Sequence, residues 1–199
     1  LRLDATRKLD PERQAQMGQF MTPLPIAKLM ASLFTAKGRT LRLLDAGAGV
    51  GSLSAALVQR LCAAGRPPDQ ISLSAYEIDP ILADHLKLTL EACRSHAARA
   101  GVRFDGEVRQ EDFVLAGVSS ARASLFDAAQ EYDCAILNPP YRKIHTDSRT
   151  RALLRQLGVE TSNLYTAFLA IAVKLLKPGG QLVAITPRST SAVLNDPNA

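Results

Sequence analysis

Asn138-Pro139-Pro140-Tyr141 is the stretch of this sequence whose residue types carry the most specific chemistry. Prolines cannot extend a sheet ladder, so the apolar run Cys134-Ala135-Ile136-Leu137 is expected to end as a strand at Asn138. The backbone carbonyls that follow are then left outside the ladder. The side-chain oxygen of Asn138 and the carbonyl of Pro139 make two acceptors that suit a planar exocyclic amine. The lone pair of such a nitrogen is delocalised into its ring or carbonyl. Holding both of its hydrogens localises that pair for attack. Displacement of a methyl group from a sulfonium would then proceed in line, aided by position and electrostatics rather than by a strong base. Tyr141 offers a face for a flat substrate, as for a base extruded from its helix. Taken alone, the four residues also fit a turn with a buried tyrosine.

A ligand loop precedes this motif. Asp45-Ala46-Gly47-Ala48-Gly49-Val50-Gly51 lies between an expected strand and an expected helix. Glycines there allow a sharp turn and close approach of a ligand, and the helix start offers unsatisfied N–H groups. A dinucleotide fingerprint would need glycine at position 52, where Ser52 stands. An aspartate before the first glycine suits a cation better than a pyrophosphate, so Asp45 is expected near the ammonium of a methionine moiety. Glu77 ends the second strand, where a carboxylate can accept from both hydroxyls of a ribose. Asp112-Phe113 follows the third strand and offers an acceptor for an adenine amino group and a ring to pack on it. A capping aspartate beside a core phenylalanine explains that pair nearly as well.

The elements that must position these residues alternate between strand and helix, which implies a mostly parallel, doubly wound α/β sheet covered on both faces. Thr22 is expected to cap a helix with Pro23 at its first position, running to about Lys37 and stopping at Gly38. Strands are expected at Leu41–Asp45, Ile71–Glu77, Val102–Gln110, Asp133–Asn138 and Gln181–Thr186, the last after a turn at Pro178-Gly179-Gly180. Helices are expected around Leu53–Leu61, from Asp79-Pro80 to Gly101, partly within 115–130, and from a Thr161 or Ser162 cap through Leu175. The chain divides into an N-terminal segment and helix (1–40), a core (41–189) and an irregular tail (190–199).

At 199 residues the chain suits one well-packed domain, and 47% apolar content excludes wholesale disorder. No apolar run is long enough for a membrane-spanning helix and the N-terminus has no leader pattern, so a soluble, cytoplasmic protein with no membrane partner is expected. Cys62, Cys93 and Cys134 are scattered, without metal-ligand spacing, and are expected as small buried residues; no metal is expected. The formal charge is +5, and the chain has a pI near 9.3. Arg142, Lys143, Arg149, Arg151 and Arg155 cluster behind the Asn-Pro-Pro-Tyr motif against one acid, Asp147. Arg142 and Lys143 are expected to meet phosphates beside an extruded base; the other three also fit the solvated face of a short helix. His145 is a possible phosphate donor, whereas His85 and His96 carry no evident role.

Asp45-x-Gly47-x-Gly49-x-Gly51, Glu77, Asp112-Phe113 and Asn138-Pro139-Pro140-Tyr141 stand in the order found in the amino-methyltransferase branch of the S-adenosylmethionine-dependent class I family, which the chain resembles. Gly18-Gln19-Phe20-Met21-Thr22-Pro23 looks like the N-terminal motif of gamma-type adenine-N6 DNA methyltransferases of restriction–modification and phage-defence systems. Asn163-Leu164-Tyr165 and Ile185-Thr186-Pro187-Arg188-Ser189 are similar to the same enzymes. The resemblance implies a Rossmann-like fold, S-adenosyl-L-methionine as cofactor, and double-stranded DNA with a flipped adenine as substrate, in a bacterial cytoplasm. It assigns Phe20, Thr22 and Pro23 to the methionine end of the cofactor, with Asp45, Gly47, Gly49, Gly51, Glu77, Ile78, Asp112, Phe113 and Asn138 also in the cofactor site. Catalysis falls to Asn138, Pro139, Pro140 and Tyr141. Family members carry seven strands and a separate target-recognition region; five strands and no such region are legible here. The chain is therefore expected to be part of a larger polypeptide, or to work with a specificity subunit. Two other readings remain open: methylation of a glutamine amide in a protein, whose enzymes share the Asn-Pro-Pro-Tyr motif, and a cofactor- or DNA-binding fragment inactive on its own.

Overall fold

The computed structural model describes residues 21–123, 132–145 and 148–186. Strands β1 (Thr40–Ala46), β2 (Gln70–Tyr76), β3 (Arg103–Arg109), β4 (Tyr132–Leu137) and β5 (Leu176–Ala184) alternate with helices α1 (Leu24–Ser32), α2 (Ser52–Cys62), α3 (Pro80–Arg99), α4 (Phe113–Ala123), α5 (Arg149–Gln156) and α6 (Leu164–Leu175). The sheet order is β3-β2-β1-β4-β5, and every pairing is parallel. The order reverses between β1 and β4. The crevice outside the carboxyl ends of strands at such a reversal is where open α/β sheets take their ligands.

Side-chain alternation along the central strands divides the core into two layers. Leu41, Leu43, Cys134 and Ile136 face α1, α2 and α3, where they meet Met30, Leu57, Leu86 and Leu90. Leu44, Ala46, Ala135 and Leu137 face α4, α5 and α6, against Val118, Leu154, Phe168 and Ile171. Burial of β4 on both faces explains why its sequence is an unbroken apolar run. All three cysteines are buried, and burial raises the thiols of Cys93 to about 11 and Cys134 to about 12. Among the described residues no helix is long and apolar enough to cross a membrane.

The helix begun by Asp79-Pro80 is as expected: Asp79 Oδ1 accepts from the N–H groups of Ile81 (2.9 Å) and Leu82 (3.2 Å). Four other expectations are corrected. Thr22 does not cap α1; Pro23 occupies the cap position, and the Thr22 hydroxyl accepts from the Asn138 amide nitrogen at 3.1 Å. Nor does α1 reach Lys37. Phe34 is drawn into the core, and Thr35 is tied to β5, donating its N–H to Gln181 Oε1 (2.9 Å) while its hydroxyl accepts from Gln181 Nε2 (2.7 Å). Helix α6 is capped by neither Thr161 nor Ser162 but starts behind Asn163. Asn163 bridges antiparallel to Lys143, the Ser162 carbonyl accepts from Ile144 N–H at 2.7 Å, and the Thr161 hydroxyl accepts from Asn163 N–H at 3.1 Å.

The fourth correction concerns β5. It begins at Leu176, not Gln181, and Pro178–Gly180 form an irregularity inside it rather than a turn before it. Leu176 pairs with Tyr132, and regular pairing resumes at Gln181 with Cys134. An ion pair between Lys177 and the nearly buried Asp133 holds the early part, and Asp133 also accepts from Arg42 N–H at 2.7 Å. The helix expected within 115–130 is α4; the positions 124–131 lie outside the described residues.

Candidate active site

The loop after β1 is built by backbone geometry only glycine adopts freely. Gly47, Gly49 and Gly51 have φ of 73°, 58° and 83°. At Gly51 a Cβ would also lie 2.7 Å from Leu86 Cδ1 and 3.0 Å from Thr89 Cγ2, so the side chains of α3 would have to shift to admit one. At Gly49 a Cβ would meet no protein atom within 4 Å, because this side of the loop faces open space. Ala48 N–H donates to the Tyr76 carbonyl at 2.8 Å, which holds the loop to the end of β2.

Glu77 completes that attachment. Its side chain is buried, Oε2 accepting from Gly49 N–H (2.8 Å) and Oε1 from Asp79 N–H (2.9 Å). Burial raises its pKa, opposed by those two backbone donors and reinforced by the charge of Asp79. Asp45 is placed differently from its expected role. It is fully buried beneath the loop, with Oδ2 accepting from Ser54 Oγ (2.6 Å) and Ser54 N–H (3.1 Å) in the first turn of α2. Its Oδ1 is buried without a hydrogen-bond partner. Burial raises its pKa to about 7 against the pull of the Ser54 bonds, and the Glu77 charge adds to the rise. Asp45 thus braces the loop from below and does not line the cavity above it.

That cavity, about 450 Å³, lies at the carboxyl ends of β1, β2 and β4. Gly47, Ala48 and Gly49 of the loop line it, as do Thr22, Glu77, Ile78, Asp112, Phe113 and Asn138, whereas Gly51 is turned to α3 instead. Ile78 is half exposed, an apolar side chain left facing the space. Asp112 caps α4 through Oδ1, which accepts from Val114 N–H at 2.7 Å. Phe113 is a core ring whose centre lies 5.1 Å from that of Tyr76 and 5.0 Å from that of Phe168, so the pair is a capping aspartate beside a core phenylalanine even as both reach the cavity. The Arg109 guanidinium stands 5.4 Å from the Tyr76 ring centre and donates to its hydroxyl at 3.0 Å; burial raises that phenol to about 12.

Asn138 leaves β4 into the same cavity, with Pro140 beside it and Pro139 buried. Its Nδ2 donates to Thr22 Oγ1, and its Oδ1 accepts from the Tyr141 hydroxyl at 3.3 Å. The single Tyr141 proton is shared with the Ile185 carbonyl, 3.2 Å from the hydroxyl, and the ring centre lies 6.2 Å from that of Tyr165. It therefore stands beside the cavity wall rather than in it. Arg142 and Lys143 are exposed and line the outer part of the cavity together with His145. Hydrogen bonding of the Arg142 carbonyl to Leu164 N–H (2.9 Å) ties this basic segment to the start of α6. Arg149 and Arg155 lie on the exposed side of α5, Arg155 near Glu160 at 3.7 Å.

Phe20 lies outside the described residues. Met21, Ile144, Leu164 and Phe168 also line the cavity, although their types and spacing carry no sign of it. Leu164 and Phe168 are legible in the sequence only as the core stripe of a helix. Spacing shows that a stripe is buried, not that part of what it faces is a cavity.

A parallel sheet with reversal at β1/β4, a glycine loop and a carboxylate at the end of β2 define a class I methyltransferase fold. A Listeria monocytogenes protein assigned to the class I S-adenosylmethionine-dependent methyltransferases superposes with a TM-score of 0.63 at 19% identity, over 94% of this chain and 51% of that one. The methyltransferase subunit of a type I restriction–modification system from Streptococcus thermophilus gives 0.55 at 20% identity, over 83% and 34%. The chain belongs to the Eco57I restriction-modification methylase family, whose model matches residues 76–195. Type II methyltransferase M.PstI of Providencia stuartii is 42% identical over 189 residues, and M.BsuBI of Bacillus subtilis 37% over 182. These alignments take in 95% and 89% of this chain but only 36% and 35% of the relatives, so the chain spans about a third of their length.

Proposed function

We propose that this chain carries the methyl-transfer site of an S-adenosylmethionine-dependent DNA methyltransferase of restriction–modification type, acting on the N6 amine of adenine. The observation that carries the reading is that Asn138 lines the same cavity as the glycine loop and Glu77. An amine acceptor and a cofactor cradle thus share one space. Family membership supports the restriction–modification assignment, and the Asn-Pro-Pro-Tyr sequence supports an amine as the target.

The residues present fit the cofactor. Open space above Gly49 admits a ligand against the loop backbone, and Ile78 offers an apolar face to an adenine ring. Carboxylate oxygens accept more than one hydrogen bond each, so ribose hydroxyls can join the two backbone donors at Glu77. Asp112 caps its helix through Oδ1 and has Oδ2 to offer an adenine amino group. Thr22, at the start of α1, fits the methionine carboxylate, with Pro23 and Phe20 beside it in sequence. When bound, S-adenosylmethionine supplies a methyl group on a sulfonium, open to in-line displacement.

The chain's own work is positioning. Asn138 Oδ1 and the Pro139 carbonyl hold the two hydrogens of the target amine, which localises its lone pair. Tyr141 and Pro140 flank the entering base, Tyr141 by turning from its contacts with Ile185 and Tyr165. Arg142 and Lys143 meet the phosphates on either side of the extruded nucleotide. Selection of a DNA sequence falls to a region outside residues 1–199, in line with the greater length of the relatives.

Modified-base sequencing of genomic DNA from cells with and without the intact gene tests this reading. N6-methyladenine at one recurrent sequence, present only with the gene, is expected. Unmodified adenine together with a gene-dependent methylated glutamine in cellular protein would replace DNA with a protein amide as substrate.

A further inference from the structure

We infer that Thr22 is a positioning residue that fixes which end of the Asn138 amide faces the substrate, and that it does so through its contact with the bound cofactor. The inference rests on the cofactor and amine reading above.

An asparagine amide can sit in one slot in two orientations that exchange its oxygen and its NH2 with little change of shape. Only one of them is productive here. With Oδ1 toward the substrate, the amide accepts a hydrogen from the target amine. Turned over, it would point NH2 at an NH2, and the amine lone pair would gain nothing. The side chain of Asn138 must therefore be held at its nitrogen end. Thr22 Oγ1 accepts from that nitrogen at 3.1 Å, and Thr22 is nearly buried.

A threonine hydroxyl has one proton and two lone pairs, so it can accept from Nδ2 or donate to Oδ1 with equal ease. By itself it selects neither orientation. It becomes selective once its proton is committed elsewhere. Thr22 lines the cavity immediately before α1, whose first turn carries no acidic side chain to compete for the helix start. A methionine carboxylate bound there would accept a hydrogen bond from the Thr22 hydroxyl, since an anionic acceptor outcompetes a neutral amide oxygen. Thr22 is then left with lone pairs alone. Nδ2 must turn toward it and Oδ1 toward the substrate. Cofactor occupancy thus sets the acceptor geometry of Asn138.

Serine and alanine at position 22 differ only in the hydroxyl, and both lack the threonine methyl, so any packing defect is common to the pair. The full-length protein is assayed for single-turnover methyl transfer to genomic DNA from cells lacking the gene. S-adenosylmethionine and DNA are each varied up to saturation, and S-adenosylhomocysteine affinity is measured alongside. Thr22→Ser is expected within about threefold of wild type, and Thr22→Ala slower by roughly tenfold or more, the scale of removing one hydrogen bond. The deficit of Thr22→Ala should persist at any cofactor concentration, and the apparent KM for DNA should not change. Equal rates for the serine and alanine variants would overturn the inference. So would a deficit that saturating cofactor abolishes, because Thr22 would then bind cofactor and nothing more. A wild-type protein that neither binds S-adenosylhomocysteine nor transfers a methyl group would instead refute the underlying reading.

Discussion

Replacing Asp45 by asparagine should flatten the pH dependence of folding stability. Asp45 is fully buried, and its pKa is raised from 3.8 to about 7, chiefly by burial. A carboxyl whose folded pKa lies above its unfolded value binds more protons folded than unfolded. Stability at this residue is then complete below pH 4, falls as pH rises, and stops falling above about 7. Between pH 5 and pH 8 the folded pKa is crossed over about two units, which at 1.36 kcal/mol per unit is a loss of about 3 kcal/mol. Asparagine mimics the protonated acid: its oxygen can accept from Ser54 N–H and Oγ, and its NH2 takes the place of the unpartnered Oδ1. Urea denaturation of both proteins at pH 5 and pH 8 gives the comparison. Wild type should lose about 3 kcal/mol more than Asp45→Asn over that range. Any decline due to Glu77 appears in both proteins and cancels to first order. Parallel declines would refute a buried, proton-binding Asp45, as would a variant that is the less stable of the two at pH 8.

Glu77→Gln keeps the side-chain shape but has one acceptor where two N–H groups, of Gly49 and Asp79, now donate. Its affinity for S-adenosylhomocysteine, measured by calorimetry, should fall by about 1.5–3 kcal/mol, the value of charged hydrogen bonds to the ribose; unchanged affinity would remove Glu77 from the cofactor site. Neutralising Arg142 and Lys143 together should reduce the slope of log DNA affinity against log salt by about two, one for each phosphate that no longer meets a cation. An unaltered slope would place the phosphates elsewhere.

Much of the frame was legible because single residues carried it. The apolar run before Asn138 could only be a buried strand stopped by proline, and Asp79-Pro80 could only open a helix. The glycines at 47, 49 and 51 were legible for the same reason, each needing a positive φ. What escaped was decided by partners distant in sequence. Thr22 has every property of a cap, yet its hydroxyl goes to an amide 116 positions away. The end of α1 was set by Gln181 gripping Thr35, 146 positions apart, and nothing local announces such a pair. Asp45 was the subtlest case. A carboxylate at a strand end can face the ligand above the loop or the helix below it, and Ser54 decides for the helix. Leu164 and Phe168 lie in a plain core stripe that ends at a cavity, because the strand order reverses beneath them.

The most direct test of amine methylation by Asn138 is Asn138→Ala in the full-length protein, assayed for single-turnover methyl transfer to unmodified genomic DNA alongside S-adenosylhomocysteine affinity. Removing the amide oxygen should lower the transfer rate by at least about a hundredfold, as for loss of one acceptor of transition-state charge, with cofactor affinity changed by less than about threefold. Near-normal transfer by that variant would contradict the assignment, whatever its affinity for the cofactor.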